Sequence, residues 1–260
     1  MTLLCSIRSL RVTYHGQANP ALDFAALDIQ AGGRLAIIGE SGSGKTTLAR
    51  AIASLLPENS KHTGEILWPA RSTPLPGRDL GFVFQDPSAS LNPVLTVGEQ
   101  VAEGARRHLR LSWHDALRHA RDLLERVQLP DPEKALKAYP HQFSGGQRQR
   151  IAIAAALAAQ PSILVADEIT SALDMVVQAQ LVALLNELVR DAGMTLIFVT
   201  HDIALASGLA DRLAILKQGK LVETGAAAKV LAEPESSYTR TLIASHRSLS
   251  SPSLLRDTSA

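Results

Sequence analysis

At 260 residues the chain can bury a sizeable core, as one large domain or two small ones. With 46% hydrophobic and 20% charged residues and a net charge of +1, it has no bulk attraction for nucleic acid or a membrane surface. The lone cysteine, Cys5, excludes a disulfide framework or a cysteine-ligated cluster within the chain and fits a reducing compartment.

Residues 4–14 alternate in polarity and, with a second segment at 25–29, predict antiparallel strands near the N-terminus. The run RLAII at 34–38 is a short buried strand that enters a glycine-rich loop. Helical periodicity follows over 45–56 and stops before Pro57. LGFVF at 80–84 predicts another buried strand, and 97 to about 130 predicts helix with charge on one face. Strands return at 163–166 and 195–200, each after a helical stretch. A hairpin then turns at Gly219. Strands alternating with helices predict a parallel α/β core, with residues 88–158 as a helical insertion. The Ser-rich C-terminus reads as a loose tail. The apolar run 151–159 is far short of the ~20 residues that cross a bilayer. The N-terminus lacks the basic region and apolar core of a secretion signal. A cytosolic protein that reaches membranes through partners is the expectation.

Three segments carry the chemistry. Gly39-Glu40-Ser41-Gly42-Ser43-Gly44-Lys45-Thr46, followed by Thr47, fits G-x-x-x-x-G-K-[ST] between a predicted strand and a predicted helix, which is the context the pattern demands. Its glycines let backbone amides turn onto phosphates, Lys45 supplies a point charge, and the Thr46 hydroxyl is placed to ligand Mg²⁺. ILVAD at 163–167 ends in Asp167 and is followed by Glu168. A strand end followed by acids is common by itself, but after such a loop the functional reading dominates. Asp167 then orients Mg²⁺, and Glu168 polarises an attacking water as general base. Phe143-Ser144-Gly145-Gly146-Gln147 opens an apolar helix, so it reads as a helix N-terminus with exposed amides able to hold an anion.

With these motifs in this order, the chain resembles the ATP-binding cassette (ABC) ATPases over nearly its whole length. The resemblance implies a P-loop NTPase, RecA-like parallel-sheet core with an N-terminal antiparallel β subdomain and an inserted helical subdomain. It implies one ATPase domain over 1–245 and a tail from 246. Gln85 matches the glutamine that ligands Mg²⁺ and couples the site to a membrane partner. The segment from Ser171 to Asp174 matches the D-loop, which crosses a dimer interface. His201 matches the histidine that contacts the γ-phosphate, and Tyr14 the aromatic that stacks on adenine. Taken singly, His201 would be an ordinary loop histidine and Tyr14 a half-buried strand tyrosine; the shared order outweighs that. Ser144, Gly145, Gly146, Gln147 and Asp174 would act in trans, completing the ATP site of a second cassette. Ile169 stands where proline is usual, yet both carboxylates are kept.

QDPSASLNPVLTVGEQ at 85–100 and PESSYTRTLIAS at 234–245 are similar to the oligopeptide, dipeptide and nickel importer ATPases. In the tail, Ser236 and Ser237 replace the His-Pro of that subfamily. The resemblance implies ATP and Mg²⁺ as cofactors and a hetero- or homodimer of cassettes. It further implies two permease subunits, a solute-binding protein acting indirectly, no nucleic acid, and a place on the cytoplasmic face of the cell membrane. A soluble repair or translation ATPase is the competing class. It is disfavoured by the single P-loop, the single cysteine and the lack of sustained heptads.

Overall fold

The computed structural model describes residues 2–69, 72–170 and 174–250. Its centre is a sheet of order β5-β6-β7-β3-β8-β9: β5 (Leu80–Val83), β6 (Ile163–Asp167), β7 (Thr195–Thr200), β3 (Arg34–Ile38), β8 (Arg212–Lys217) and β9 (Lys220–Ala226). The first five strands run parallel and β9 turns back antiparallel. Nearly continuous burial along β3, β6 and β7 is what a parallel sheet covered on both faces requires.

Alternation along these strands feeds two cores. Ala36, Ile38, Leu164, Ala166, Leu196 and Phe198 face one core with the helices. Leu35, Ile37, Ile163, Val165, Ile197 and Val199 face the other. There they meet α1 (Lys45–Ile52) and an antiparallel sheet of order β2-β1-β4, formed by β1 (Leu3–Tyr14), β2 (Leu22–Gln30) and β4 (Ser60–Leu67). Each strand therefore sends successive side chains to opposite layers.

Between β5 and β6, which are adjacent in the sheet, the chain makes α2 (Pro87–Ser90), α3 (Val97–His108), α4 (Trp113–Arg126), α5 (Pro132–Ala135) and α6 (Gly145–Leu157). A capping box starts α3: the Thr96 hydroxyl accepts from the Glu99 amide, and the Glu99 carboxylate accepts from the Thr96 amide. The remaining helices are α7 (Met175–Ala192), α8 (Ile203–Leu209), α9 (Ala227–Ala232) and α10 (Ser237–Ser250). The last of these continues past position 245, where the sequence reading ends the ATPase domain. Among the described residues, no helix is long and apolar enough to cross a membrane.

The structure differs from the sequence reading at three elements. The strand β4 was not expected, because residues 61–65 are exposed and show no alternation. It is held as an edge strand by pairing with β1. Second, β2 starts at Leu22 rather than 25. Third, α1 ends at Ile52 rather than 56. Ser54 takes a left-handed φ of 56°, and the Leu55 amide bonds back to the Arg50 carbonyl. The β8–β9 hairpin turns on Gln218 and Gly219, both at positive φ (48° and 76°), as a tight turn between right-twisted strands demands.

Candidate functional site

Parallel register aligns Ile38 with Thr200 and Asp167 with Val199, so β3, β6 and β7 end at one edge of the sheet. Side chains leaving those strand ends converge, as expected at the carboxyl edge of an α/β sheet.

The loop after β3 carries the phosphate-binding pattern. A side chain at Gly39 would place its Cβ 2.3 Å from the Leu216 carbonyl oxygen, so only glycine fits. Gly44 has φ +99° and a Cβ there would lie 2.5 Å from the Ala21 carbonyl oxygen, so it too is restricted. Gly44 is also the N-cap of α1. The buried Lys45 ammonium donates to the carbonyls of Gly39 and Glu40, each at 2.9 Å. Its third contact is the Glu168 carboxylate at 3.1 Å. Ser43 is buried, whereas Ser41 and Gly42 face outward.

Glu168 follows β6 with a left-handed φ of 45°, and its amide donates to the Val199 carbonyl at 3.0 Å. A non-glycine residue there stores about 1–3 kcal/mol of backbone strain, of the kind found at functional positions. The turn separates the two acids. Glu168 meets Lys45 on one side and accepts from the Gln85 side-chain amide at 3.2 Å on the other. Asp167 instead accepts from the Thr46 hydroxyl at 3.0 Å. Burial raises the Asp167 pKa, with the negative charge of Glu168 adding to it, while the Thr46 bond, Arg50 and Lys45 oppose.

Two cavities meet here. One, of about 850 Å³, is lined by Tyr14, Ser41, Gly42, Gly44 to Thr47, Gln85 and Glu168. The Tyr14 hydroxyl lies 3.1 Å from that of Thr47 at its wall. The other, of about 310 Å³, brings together Thr46, Gln85 and Asp167. Hydroxyl, carboxamide and carboxylate oxygens form a hard donor set, and the buried, partly desolvated Asp167 gains from a cation. The residues therefore fit Mg²⁺. Among the described residues no preformed cage of three or more acidic, His or Cys side chains exists, as suits an ion that keeps waters and phosphate oxygens.

Other expected residues lie apart. His201 is exposed just after β7 and does not line either cavity. Ser144 caps α6: its hydroxyl accepts from the Gln147 amide at 3.3 Å, and the Gln147 side chain accepts from the Ser144 amide at 2.9 Å. None of Ser144, Gly145, Gly146 and Gln147 lines either cavity. Asp174 caps α7 through the amides of Val176 and Val177, also outside them. Positions 171–173 of the D-loop lie outside the described residues.

The sequence reading missed Arg11, Asn19, Asp23, Gln218 and Lys220, which also line the larger cavity. Arg11 and Asp23 come from β1 and β2 and Asn19 from the turn between them, while Gln218 and Lys220 come from the β8–β9 turn and the start of β9. The second turn is tied to the loop by the Gly219 amide, which donates to the Ser43 carbonyl at 3.0 Å. A turn residue whose partner is 176 positions away carries no local signal. Cys5 takes no part: burial, with the charge of Asp28 adding, pushes its thiol up to about 12.

A profile of the family described as "ABC transporter" matches residues 22–171, more than half of the chain. The chain belongs to the ABC transporter family. This ABC transporter chain is 42% identical over 254 residues to the peptidoglycan transport ATP-binding protein YejF of Agrobacterium fabrum, covering 93% of the chain and 46% of that relative. Identity to the oligopeptide transport ATP-binding protein OppD of Bacillus subtilis is 40% over 265 residues, covering 96% and 74%. The chain thus spans less than half the length of the Agrobacterium relative. Among solved structures, the dimeric post-hydrolysis state of the ATP-binding cassette MJ0796 bound to ADP and Pi is similar. Its TM-score is 0.76 at 32% identity, covering 86% of this chain and 99% of that one.

Proposed function

We propose that the chain binds ATP in the larger cavity and hydrolyses it as the nucleotide-binding subunit of a bacterial importer of peptides. The observation that carries this reading is the convergence of Lys45, Thr46, Asp167, Glu168 and Gln85 at one sheet edge. The amides of the loop from Gly39 to Thr47 and the Lys45 ammonium bind phosphate oxygens, and Tyr14 offers its ring to the base. Mg²⁺, held by Thr46, Asp167 and Gln85, supplies charge neutralisation on the phosphates when bound. Phosphate oxygens compete with Glu168 for Lys45. The freed carboxylate then takes a proton from the attacking water. His201, on the exposed end of β7, is available to the γ-phosphate when the site closes.

A second cassette supplies Ser144, Gly145, Gly146, Gln147 and Asp174 in trans. Their position outside both cavities, with Ser144, Gly145 and Asp174 exposed, supports this assignment, as does the dimeric form of the ADP-bound neighbour. Permease subunits dock beside Gln85, which puts the protein on the cytoplasmic face of the membrane. The names of the Bacillus and Agrobacterium relatives, which give oligopeptide and peptidoglycan transport, support a peptide-like cargo.

The test is ATPase activity of the chain co-expressed with candidate peptide-permease subunits. Activity should rise several-fold with the permeases, and uptake should favour labelled peptide over nickel. Stimulation by DNA or ribosomes in their place would instead support a soluble, non-transport ATPase. Tyr14→Ala should raise the ATP Kd about 5- to 100-fold, as the loss of ring stacking on a base predicts, with kcat within about twofold. An unchanged Kd by calorimetry would return Tyr14 to a merely structural strand position.

A further inference from the structure

The tail segment that contains Tyr238 is not used by the mechanism above, yet it reaches the nucleotide loop. Its path is fixed by β9. The Glu223 carboxylate accepts from the amides of Glu235 at 2.9 Å and Ser236 at 3.1 Å. The Ser236 hydroxyl accepts from the Tyr238 amide at 3.2 Å, and Arg240 donates to the Pro234 carbonyl at 3.0 Å. These bonds set the first turn of α10 and aim its half-buried tyrosine back at the core sheet.

There the Glu40 amide donates to the Tyr238 hydroxyl at 3.3 Å. The Lys217 ammonium sits 4.6 Å from the centre of the ring, a cation–π contact from the end of β8. The peptide unit joining Gly39 to Glu40 is thus gripped at both ends: its N–H by Tyr238 and its carbonyl oxygen by Lys45 at 2.9 Å. An amide polarised at its N–H by an acceptor presents a better acceptor at its oxygen, because hydrogen bonds in a chain reinforce one another.

We propose that Tyr238 is a positioning residue of the ATP site, acting through the Gly39–Glu40 peptide to hold the Lys45 ammonium where phosphate arrives. The inference rests on the ATP-binding reading above. It makes α10 a structural input to nucleotide affinity, so a contact that shifts this helix shifts the loop. Burial, aided by the charge of Glu40, raises the phenol above its ordinary value and keeps the hydroxyl protonated at neutral pH.

Two variants of the full chain test this, with ADP affinity by calorimetry and ATP turnover as readouts. Tyr238→Phe keeps the ring and its contact with Lys217 and removes only the oxygen. Its ADP Kd and ATP KM should rise about 2- to 10-fold, as one lost neutral hydrogen bond predicts, with kcat within about twofold. Lys217→Met removes the cation and leaves the hydroxyl; its ADP Kd should match that of the unaltered chain. Equal weakening by both variants would make Tyr238 a packing residue and overturn the proposal. So would an unchanged Kd in Tyr238→Phe while the unaltered chain binds ADP. If the unaltered chain fails to bind ADP or ATP, the ATP-binding reading itself falls, and this inference with it.

Discussion

Glu168→Gln should bind ATP about as well as the unaltered chain and turn it over about 10²- to 10⁴-fold more slowly, the span associated with a lost general base. The two side chains have the same shape, so the left-handed backbone at φ 45° and its bond to the Val199 carbonyl are undisturbed. What changes is the carboxylate, whose Oε1 lies 3.1 Å from the Lys45 ammonium and whose Oε2 accepts from Gln85 at 3.2 Å; as an amide it can no longer take a proton. Lys45 also loses its anionic partner, so the phosphates meet less competition and affinity holds or improves. With binding intact and chemistry blocked, the ATP-bound dimer should accumulate and elute ahead of the monomer on size exclusion. Phosphate release in a single turnover, read by rapid quench, gives the rate. A variant that retains wild-type turnover would assign the base elsewhere.

Much of this site was legible because its motifs encode local backbone. A loop with glycine at 39, 42 and 44 can wrap only one way between a buried strand and a helix, and Lys45 and Thr46 ride on that path. Asp167 and Glu168 were legible because ILVAD can only be a buried strand, and a strand that ends at the sheet's carboxyl edge faces the loop. What could not be read depends on distant chain. The strand β4 has exposed residues over 61–65 and exists through its register with β1, so no periodicity announces it. The hydroxyl of Tyr238 meets Glu40 across 198 positions, and the Gly219 turn supports Ser43 by backbone bonds alone. Such contacts are products of sheet order, which brings β8 beside β3. Sequence spacing also lent His201 and Asp174 the same standing as Lys45. The geometry separates them: Lys45 lines a cavity of this chain, whereas His201 and Asp174 face outward.

Lys45→Ala is expected to act on binding where Glu168→Gln acts on chemistry. The ammonium is 4% exposed and spends its three protons on the Gly39 carbonyl, the Glu40 carbonyl and the Glu168 carboxylate. Removing it takes the positive charge from the phosphate path and leaves three acceptors facing one another. Each hydrogen bond to a charged group contributes about 1.5–3 kcal/mol, or roughly 10- to 100-fold, so loss of two phosphate contacts predicts a fall in ATP affinity of at least about 100-fold. Lys45→Arg should not restore it, because a planar guanidinium is too broad for a slot built around a compact ammonium. Calorimetry with ADP reads the affinity without turnover. Combining Lys45→Ala with Glu168→Gln decides whether the two ends of this ion pair work separately. If Lys45 serves phosphate binding and Glu168 serves the water, the double variant should show the affinity loss of the first and the turnover loss of the second, with the affinity loss partly relieved. That relief has a specific cause: the glutamine no longer presents an unpaired anion to the incoming phosphates.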